Sequence, residues 1–145
     1  MALKVELKPG ERIIIGESVI TNDNQRTRLY IEGSAPILRE KDIMTPETAD
    51  SPSKQLYLAV QLMYLSQDIN KIRDEYFEIV NEILKAAPST LPYITKISNH
   101  ILNNSLYKSL REARKLIDYE RKLIKNAQSG GTSVPEDEPG DSRAT

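Results

Sequence analysis

Several reactive residue types are missing or rare in this 145-residue chain. There is no cysteine, which excludes disulfides, cysteine-ligated zinc and thiol nucleophiles. A single histidine, His100, cannot form a metal site alone. With seven tyrosines, one phenylalanine and no tryptophan, the chain has little material for a large aromatic-lined pocket. We therefore expect no catalytic residues, no metal and no cofactor, and we predict that the chain is not an enzyme.

Long apolar runs and a charge excess of one sign are also missing. No apolar run approaches the roughly 18 residues that a membrane-spanning helix needs. The opening MALKVELK carries charge from Lys4 onward and shows no signal peptide. We expect a cytoplasmic protein without a membrane partner. Because 20 basic residues balance 21 acidic ones, any nucleic-acid binding would depend on local basic clusters.

The first 45 residues carry the patterns of short β-strands. Residues 1–8 alternate apolar and charged side chains, which is typical of a strand with one buried face. Turn residues, among them Pro9-Gly10, separate this segment from further short strands at 12–15, 18–21, 26–32 and 37–39. We predict an α+β protein that begins with a small antiparallel β-rich head, residues 1–45.

The rest of the chain predicts helices. Residues 46–53 form a polar linker in which Asp50 or Ser51 caps a helix that has Pro52 at its first position. Residues 54–126 are expected to form a helical body of two to three helices. Between 54 and 87 there is no Gly or Pro, and apolar residues recur at alternating spacings of four and three, which predicts one long first helix with a heptad seam. The seam comprises Leu58, Leu62, Leu65, Ile69, Ile72, Tyr76, Ile79 and Ile83.

Beyond this first helix, residues 91–103 and 106–126 form two shorter helices or one bent helix. Residues 127–145 are rich in Gly, Pro and acids and poor in apolar residues, so we predict a disordered acidic tail.

One predicted strand carries side chains that suit RNA. Arg26, Arg28 and Tyr30 share one face, whereas Thr27, Leu29 and Ile31 share the other. Arginine pairs with phosphates and stacks on bases, and tyrosine also stacks on bases. The alternative is an ordinary solvated strand face.

Two features of the helical body suit a partner. We expect part of the heptad seam to stay exposed and to contact a protein partner or a second copy of the chain. The alternative is that the whole seam is buried in the core. Residues 105–125 hold seven basic residues, including Arg111 and Arg114, against three acidic ones. They could contact a phosphate backbone or an acidic partner, or form a solvated helix face.

Three separated segments resemble a known family. MALKVELKPGERIIIG, RLYIEGSAPILREKDIM and SPSKQLYLAVQLMYLSQD are similar, in this order, to the flagellin-synthesis regulator family FlbT, and the resemblance covers about residues 1–125. It implies a non-enzymatic, post-transcriptional repressor that associates with the 5′ untranslated region of flagellin mRNA and alters its translation or decay. It also implies action alongside the small flagellar regulator FlaF.

The head resembles, more distantly, the carbon storage regulator CsrA. The resemblance rests on the segments Gly10–Gly16, Arg26–Leu29 and Arg39–Ile43. It implies an RNA-binding β module in which Arg39 matches an arginine of the last strand. Leu7 stands where CsrA has a first-strand arginine, and the stretch between Gly16 and Arg26 is shorter than in CsrA.

We therefore carry two hypotheses. In the first, the head binds the flagellin mRNA leader through Lys4, Lys8, Arg26, Arg28, Tyr30 and Arg39. The body then forms a homodimer or binds a FlaF-like regulator, through Leu58, Leu62, Leu65, Ile69, Arg111 and Arg114. In the second hypothesis, the chain is an adaptor or chaperone that holds a flagellar partner through its helical body, and any effect on RNA is indirect.

Overall fold

The computed structural model describes residues 2–129 and confirms an α+β architecture. The strands are β1 (Ala2–Leu7), β2 (Arg12–Ile15), β3 (Ser18–Thr21), β4 (Thr27–Glu32) and β5 (Ile37–Arg39), all at the predicted places. A 3-10 turn, Glu40–Asp42, follows them. The helices are α1 (Pro52–Ser66), α2 (Arg73–Ala86), α3 (Leu91–Leu102) and α4 (Leu106–Ser129). The prediction of a disordered tail lies outside the described residues, except that α4 continues through 127–129.

The chain divides into two compact units, which are described separately. The head unit holds the described chain up to Ile43 together with Leu65–Gln67. The body unit holds Met44–Tyr64 and the described chain from Asp68 onward.

Two small antiparallel sheets form the head unit. In one sheet β1 pairs with β4, and in the other the strand order is β3-β2-β5. The hairpin between β2 and β3 turns within two residues, because Ile15 pairs with Ser18. Gly16 takes a φ of +62° in this turn, a conformation that favours glycine and suits a two-residue hairpin.

The alternating pattern of β1 sorts its side chains between core and solvent. Val5 and Leu7 are 2% and 3% exposed and join Ile13 of β2 in the core of the head unit. Four partly buried side chains pack against them: Ile15, Leu29, Ile31 and Ile37. Since neighbouring residues of a strand face opposite ways, burying this set leaves the charged residues of β1 and β4 exposed.

The prediction of one unbroken helix over 54–87 is wrong. Helix α1 ends at Ser66, Gln67 adopts a left-handed φ of +56°, and α2 begins only at Arg73. A left-handed residue directly after a helix is a common way for a helix to end, and it redirects the chain.

The residues of the predicted heptad seam also do not form the buried face of α1. Leu62 is 42% exposed, and Leu58, Leu65 and Ile69 are partly exposed. The buried face lies on another side of the helix and includes Leu56, Tyr57, Ala59, Val60 and Met63.

The later helices are separate rather than one bent helix. Asn104 takes a φ of +58° between α3 and α4, and the two helices pack against each other. Their contact includes a hydrogen bond of 3.0 Å that the buried hydroxyl of Ser109 donates to the backbone oxygen of Ile97. Apolar residues of both helices are buried, namely Ile94, Ile97, Ile101, Leu106, Leu110, Ala113, Leu116 and Ile117.

Ser51 caps α1, which decides between the two predicted caps. Its Oγ accepts a hydrogen bond from the backbone N–H of Lys54 at 3.3 Å. Asp50 instead accepts a hydrogen bond from Lys54 Nζ at 3.0 Å, and this bond, with the charge of Lys54, lowers the pKa of Asp50. The carboxylate of Glu120 on α4 completes the cap, because Ser51 Oγ and the N–H of Ser53 donate to it at 2.5 and 3.0 Å.

A buried glutamine holds the start of the body unit against α1. Gln61 is 4% exposed, and its Oε1 accepts from the N–H of Met44 at 2.7 Å. Its Nε2 donates to the Met44 carbonyl at 2.9 Å. One side chain therefore satisfies both backbone polar groups of Met44.

Replacing Gln61 with leucine should destabilise the protein. Gln61→Leu keeps a similar volume but leaves the N–H and C=O of Met44 without their partners, and a buried unpaired polar group costs about 1–3 kcal/mol. We expect the free energy of unfolding to fall by about 3 kcal/mol, measured by urea denaturation followed by circular dichroism. The control Gln55→Leu lies exposed on the same helix and should change stability by less than about 0.5 kcal/mol. Equal effects of the two variants would contradict the role given to Gln61.

Candidate nucleic-acid interface

The pairing of β1 with β4 builds a continuous polar face. Lys4 stands directly opposite Tyr30, and Glu6 stands opposite Arg28. All four side chains are exposed, with Tyr30 exposed by 67%. Opposite residues of an antiparallel pair have Cβ atoms about 5 Å apart, so these side chains are direct neighbours.

Two further cations extend this face at one end of the strands. Arg26, just before β4, places its Nη1 3.3 Å from Glu6 Oε1. Lys8, just after β1, is exposed and continues the alternation of Lys4 and Glu6. We call the set Lys4, Glu6, Lys8, Arg26, Arg28 and Tyr30 the ribbon platform.

The platform brings together five of the six residues predicted to bind RNA, and Arg39 is the exception. Arg39 is exposed but lies on β5, where it pairs with Ile13 of β2. It therefore belongs to the three-stranded sheet and not to the β1–β4 ribbon.

Glu6 is the platform residue that the sequence reasoning missed. It lies among four cations and forms an ion pair with Arg26 whose side chains are both about half exposed. Such an exposed pair stabilises a fold by about 0–1 kcal/mol, so its main effect is to reduce the positive charge of the platform. The strict alternation of residues 4–8 could have identified Glu6, since it puts Glu6 on the same face as Lys4.

Asn22 is a second residue that was missed, and it positions the platform. Its Nδ2 lies 2.8 Å from the Lys8 carbonyl and 2.7 Å from the Gln25 carbonyl. These contacts tie the residue after β1 to the loop before β4, next to Arg26. An Asn side chain that bonds nearby backbone carbonyls is a common device in polar turns, and the Asn22-Asp23-Asn24 turn was the available signal.

The side chains of the platform suit contacts with a nucleic acid. An exposed phenol ring can stack on a base, and the flanking guanidinium and ammonium groups can pair with phosphates. Within residues 2–129, no group of three or more His, Asp or Glu side chains could hold a metal ion. The same part of the chain contains no helix long and apolar enough to cross a membrane.

The residues predicted to bind a protein partner lie on different elements. Leu58, Leu62 and Leu65 are on α1, Ile69 follows it, and Arg111 is exposed on α4. Arg114 is engaged within the body unit, because its guanidinium carbon lies 4.7 Å from the centre of the Tyr57 ring. Its Nη2 also donates to Tyr57 Oη at 3.3 Å.

Comparison with known proteins gives one family. The family model described as flagellar protein FlbT matches residues 3–124. The chain is 60% identical over 124 residues to the probable flagellum biosynthesis repressor protein FlbT 1 of Bradyrhizobium diazoefficiens, with 85% of each chain covered. It is 55% identical over 124 residues to the probable flagellum biosynthesis repressor protein FlbT of Rhodopseudomonas palustris, covering 86% of this chain and 98% of the relative.

A more distant relative is the flagellum biosynthesis repressor protein FlbT of Caulobacter vibrioides. It is 35% identical over 133 residues, which cover 90% of this chain and 94% of the relative. No solved structure matches the chain. The matched range 3–124 includes every residue of the ribbon platform.

Removing the negative charge of Glu6 should strengthen the binding of polyanions. Glu6→Gln keeps the size of the side chain and releases Arg26 from its ion pair. We expect tighter binding to heparin, with the magnitude of the slope of log K against log salt increasing by up to about 0.7 for one additional cation contact.

The control for this measurement is Glu17→Gln, which removes an exposed carboxylate in the β2–β3 hairpin, outside the platform. Heparin affinity, measured by fluorescence titration at several salt concentrations, should change less in the control. If both variants gain affinity equally, only the net charge matters and Glu6 has no particular role.

Proposed function

The chain belongs to the flagellar protein FlbT family, and we propose that it is a repressor of flagellum biosynthesis that acts by binding RNA through the ribbon platform. The proposed target is the 5′ untranslated leader of flagellin mRNA, whose translation or decay would change on binding in the cytoplasm. The names of the relatives as repressors support the regulatory part of this proposal. The observation that carries the RNA-binding part is the exposed ring of Tyr30 beside Lys4 and Arg28.

The chemistry of the platform suits single-stranded RNA. Proteins recognise unpaired bases by stacking them on exposed aromatic rings, with cations nearby that contact the backbone. Tyr30 is the only aromatic residue among residues 1–45. It is 67% exposed, compared with 43% for Tyr107 on α4. Arg28 lies two residues before it on the same face, and Lys4 lies across from it, so a stacked base would have cations on two sides.

A second function is favoured by the body unit. Leu62, Phe77 and Leu102 are large apolar residues exposed by 42%, 50% and 82%. A contiguous patch of exposed apolar side chains is typical of a surface that receives another protein. An adaptor that binds a FlaF-like flagellar regulator, or a homodimer, would use them, and the effect on RNA would then be indirect.

The roles of Tyr30 and Arg28 can be tested with a flagellin leader transcript. Tyr30→Ala should weaken binding about tenfold, because stacking on an aromatic ring contributes about 1–3 kcal/mol per base. Tyr30→Phe keeps the ring and should retain most of the affinity. Arg28→Ala should weaken binding and reduce the salt slope by about 0.7 for one lost phosphate contact. Affinities are measured by filter binding at several salt concentrations.

The matched control is Lys96→Ala, which removes an exposed cation from α3 and leaves the head unit unchanged. Arg39→Ala tests the remaining predicted residue, and the placement of Arg39 on the other sheet predicts a smaller loss than Arg28→Ala. If wild-type protein does not bind the leader but copurifies with a flagellar regulator, the adaptor function replaces the RNA-binding one.

A further inference from the structure

Helix α4 carries a row of cations on the face opposite its buried side. Leu110, Ala113 and Leu116 point into the core of the body unit and are at most 2% exposed. On the other side of the helix lie the exposed cations Lys108, Arg111, Lys115 and Lys122, which we call the basic ridge. Their spacings of three, four and seven residues place them along one side of the helix.

The acidic residues of α4 pair with only one of the four ridge cations. Glu120 is bound at the start of α1 by Ser51 and Ser53. Asp118 forms an ion pair with Arg121 at 3.4 Å. Glu112 forms an ion pair with Lys115 at 3.0 Å. The side chains of Lys108, Arg111 and Lys122 form no hydrogen bond or ion pair with other residues in the described part of the chain.

The stability of the helix does not explain the cations at its beginning. Lys108 lies in the first turn of α4, and this turn contains no acidic residue. The helix dipole disfavours positive charge there and favours it only near the other end. Lys108 and Arg111, and Arg111 and Lys115, are also spaced so that like charges repel each other on the helix surface. These unfavourable interactions are relieved when a polyanion binds.

We propose that the basic ridge is a second RNA-contact surface, which binds the phosphate backbone of a single strand without reading its sequence. This inference rests on the proposed RNA-binding function. At a rise of about 1.5 Å per residue, Lys108 and Lys122 are about 21 Å apart along the helix, which is long enough to contact several phosphates. Flexible ammonium and guanidinium groups are the usual ligands of backbone phosphates.

The composition of the ridge favours RNA over an acidic protein. The centre of a protein–protein interface is depleted of lysine and enriched in aromatic residues, methionine and arginine, whereas three of the four ridge cations are lysines. Tyr119 lies between Lys115 and Lys122, but its ring stacks on Tyr93 with 4.8 Å between the ring centres, and its hydroxyl donates to Ser89. This ring is therefore already engaged within the body unit. A surface dominated by cations suits sequence-independent binding to phosphates.

The test removes three cations of the ridge at once. We expect the triple variant Lys108→Gln, Arg111→Gln, Lys122→Gln to bind a flagellin leader transcript and oligo-uridylate more weakly. Its salt slope should be smaller by about 2, or about 0.7 for each of three contacts to a single strand. Between about 50 and about 200 mM salt, the affinity of the wild type should therefore fall about 20-fold more than that of the variant. The thermal midpoint should stay the same or rise, since unfavourable charges are removed from the start of α4.

The matched control is Lys71→Gln, Lys85→Gln, Lys96→Gln, which removes three exposed cations of the body unit that lie outside the ridge. Its salt slope should stay near that of the wild type. If the salt slope decreases by the same amount in the ridge variant and in the control, only net charge matters and the ridge proposal is overturned.

Further outcomes separate this inference from the proposed function. If Tyr30→Ala weakens leader binding and the ridge variant does not, the ridge proposal is overturned while the proposed function stands. If the ridge variant loses affinity and Tyr30→Ala does not, the ridge proposal is supported and the role of the platform fails. If the ridge variant binds both RNAs normally but loses affinity for polyglutamate, the ridge is a surface for an acidic protein and the proposal is wrong. If the wild type binds neither RNA, both proposals fail.

Discussion

The register between β1 and β4 is the constraint on which the candidate interface depends. Val5 pairs with Leu29, and this pair helps to bury one face of the ribbon. The residues on either side of the pair, Lys4 with Tyr30 and Glu6 with Arg28, must then face solvent. A slip of one residue would exchange the two faces, so the burial of Val5 and Leu7 maintains the polar face. Stability of the head and presentation of the platform are therefore the same structural property.

How much can be predicted from the sequence depends on how local the signal is. The alternation in β1 and β4 involves neighbouring residues only, and it predicts both strands within a residue or two of their observed bounds. The pairing of Lys4 with Tyr30 joins residues far apart in the chain, and no local pattern contains it. Arg39 shows the same limit. Its short strand, β5, was predicted correctly, but the sequence did not show that β5 pairs with β2. The resemblance to CsrA, which suggested a role for Arg39, stays a prediction.

The prediction of one long first helix was wrong for a different reason. The apolar residues from Leu58 to Ile83 keep a regular spacing, and no Gly or Pro interrupts them. The spacing describes α1 and α2 individually, but it says nothing about the residue between them that takes a left-handed conformation, Gln67. Burial of Leu56 and Val60 also selects a different face of α1 from the one the spacing indicates. A periodic pattern is thus consistent with a continuous helix without requiring one, because packing determines both where a helix ends and which face is buried.

The platform and the basic ridge differ in what they can discriminate. The platform offers an exposed ring, which the strand register holds beside Lys4 and Arg28. The ridge offers mainly cations, on a helix whose other side is buried. Contacts to phosphates fix position and add affinity that depends on salt, whereas contacts to bases carry sequence information. The proposed function needs both, because charge alone would hold the protein on any RNA. Glu6 fits this proposal, since an acid within the platform reduces attraction by charge there and would leave stacking on Tyr30 to contribute a larger share of the binding energy.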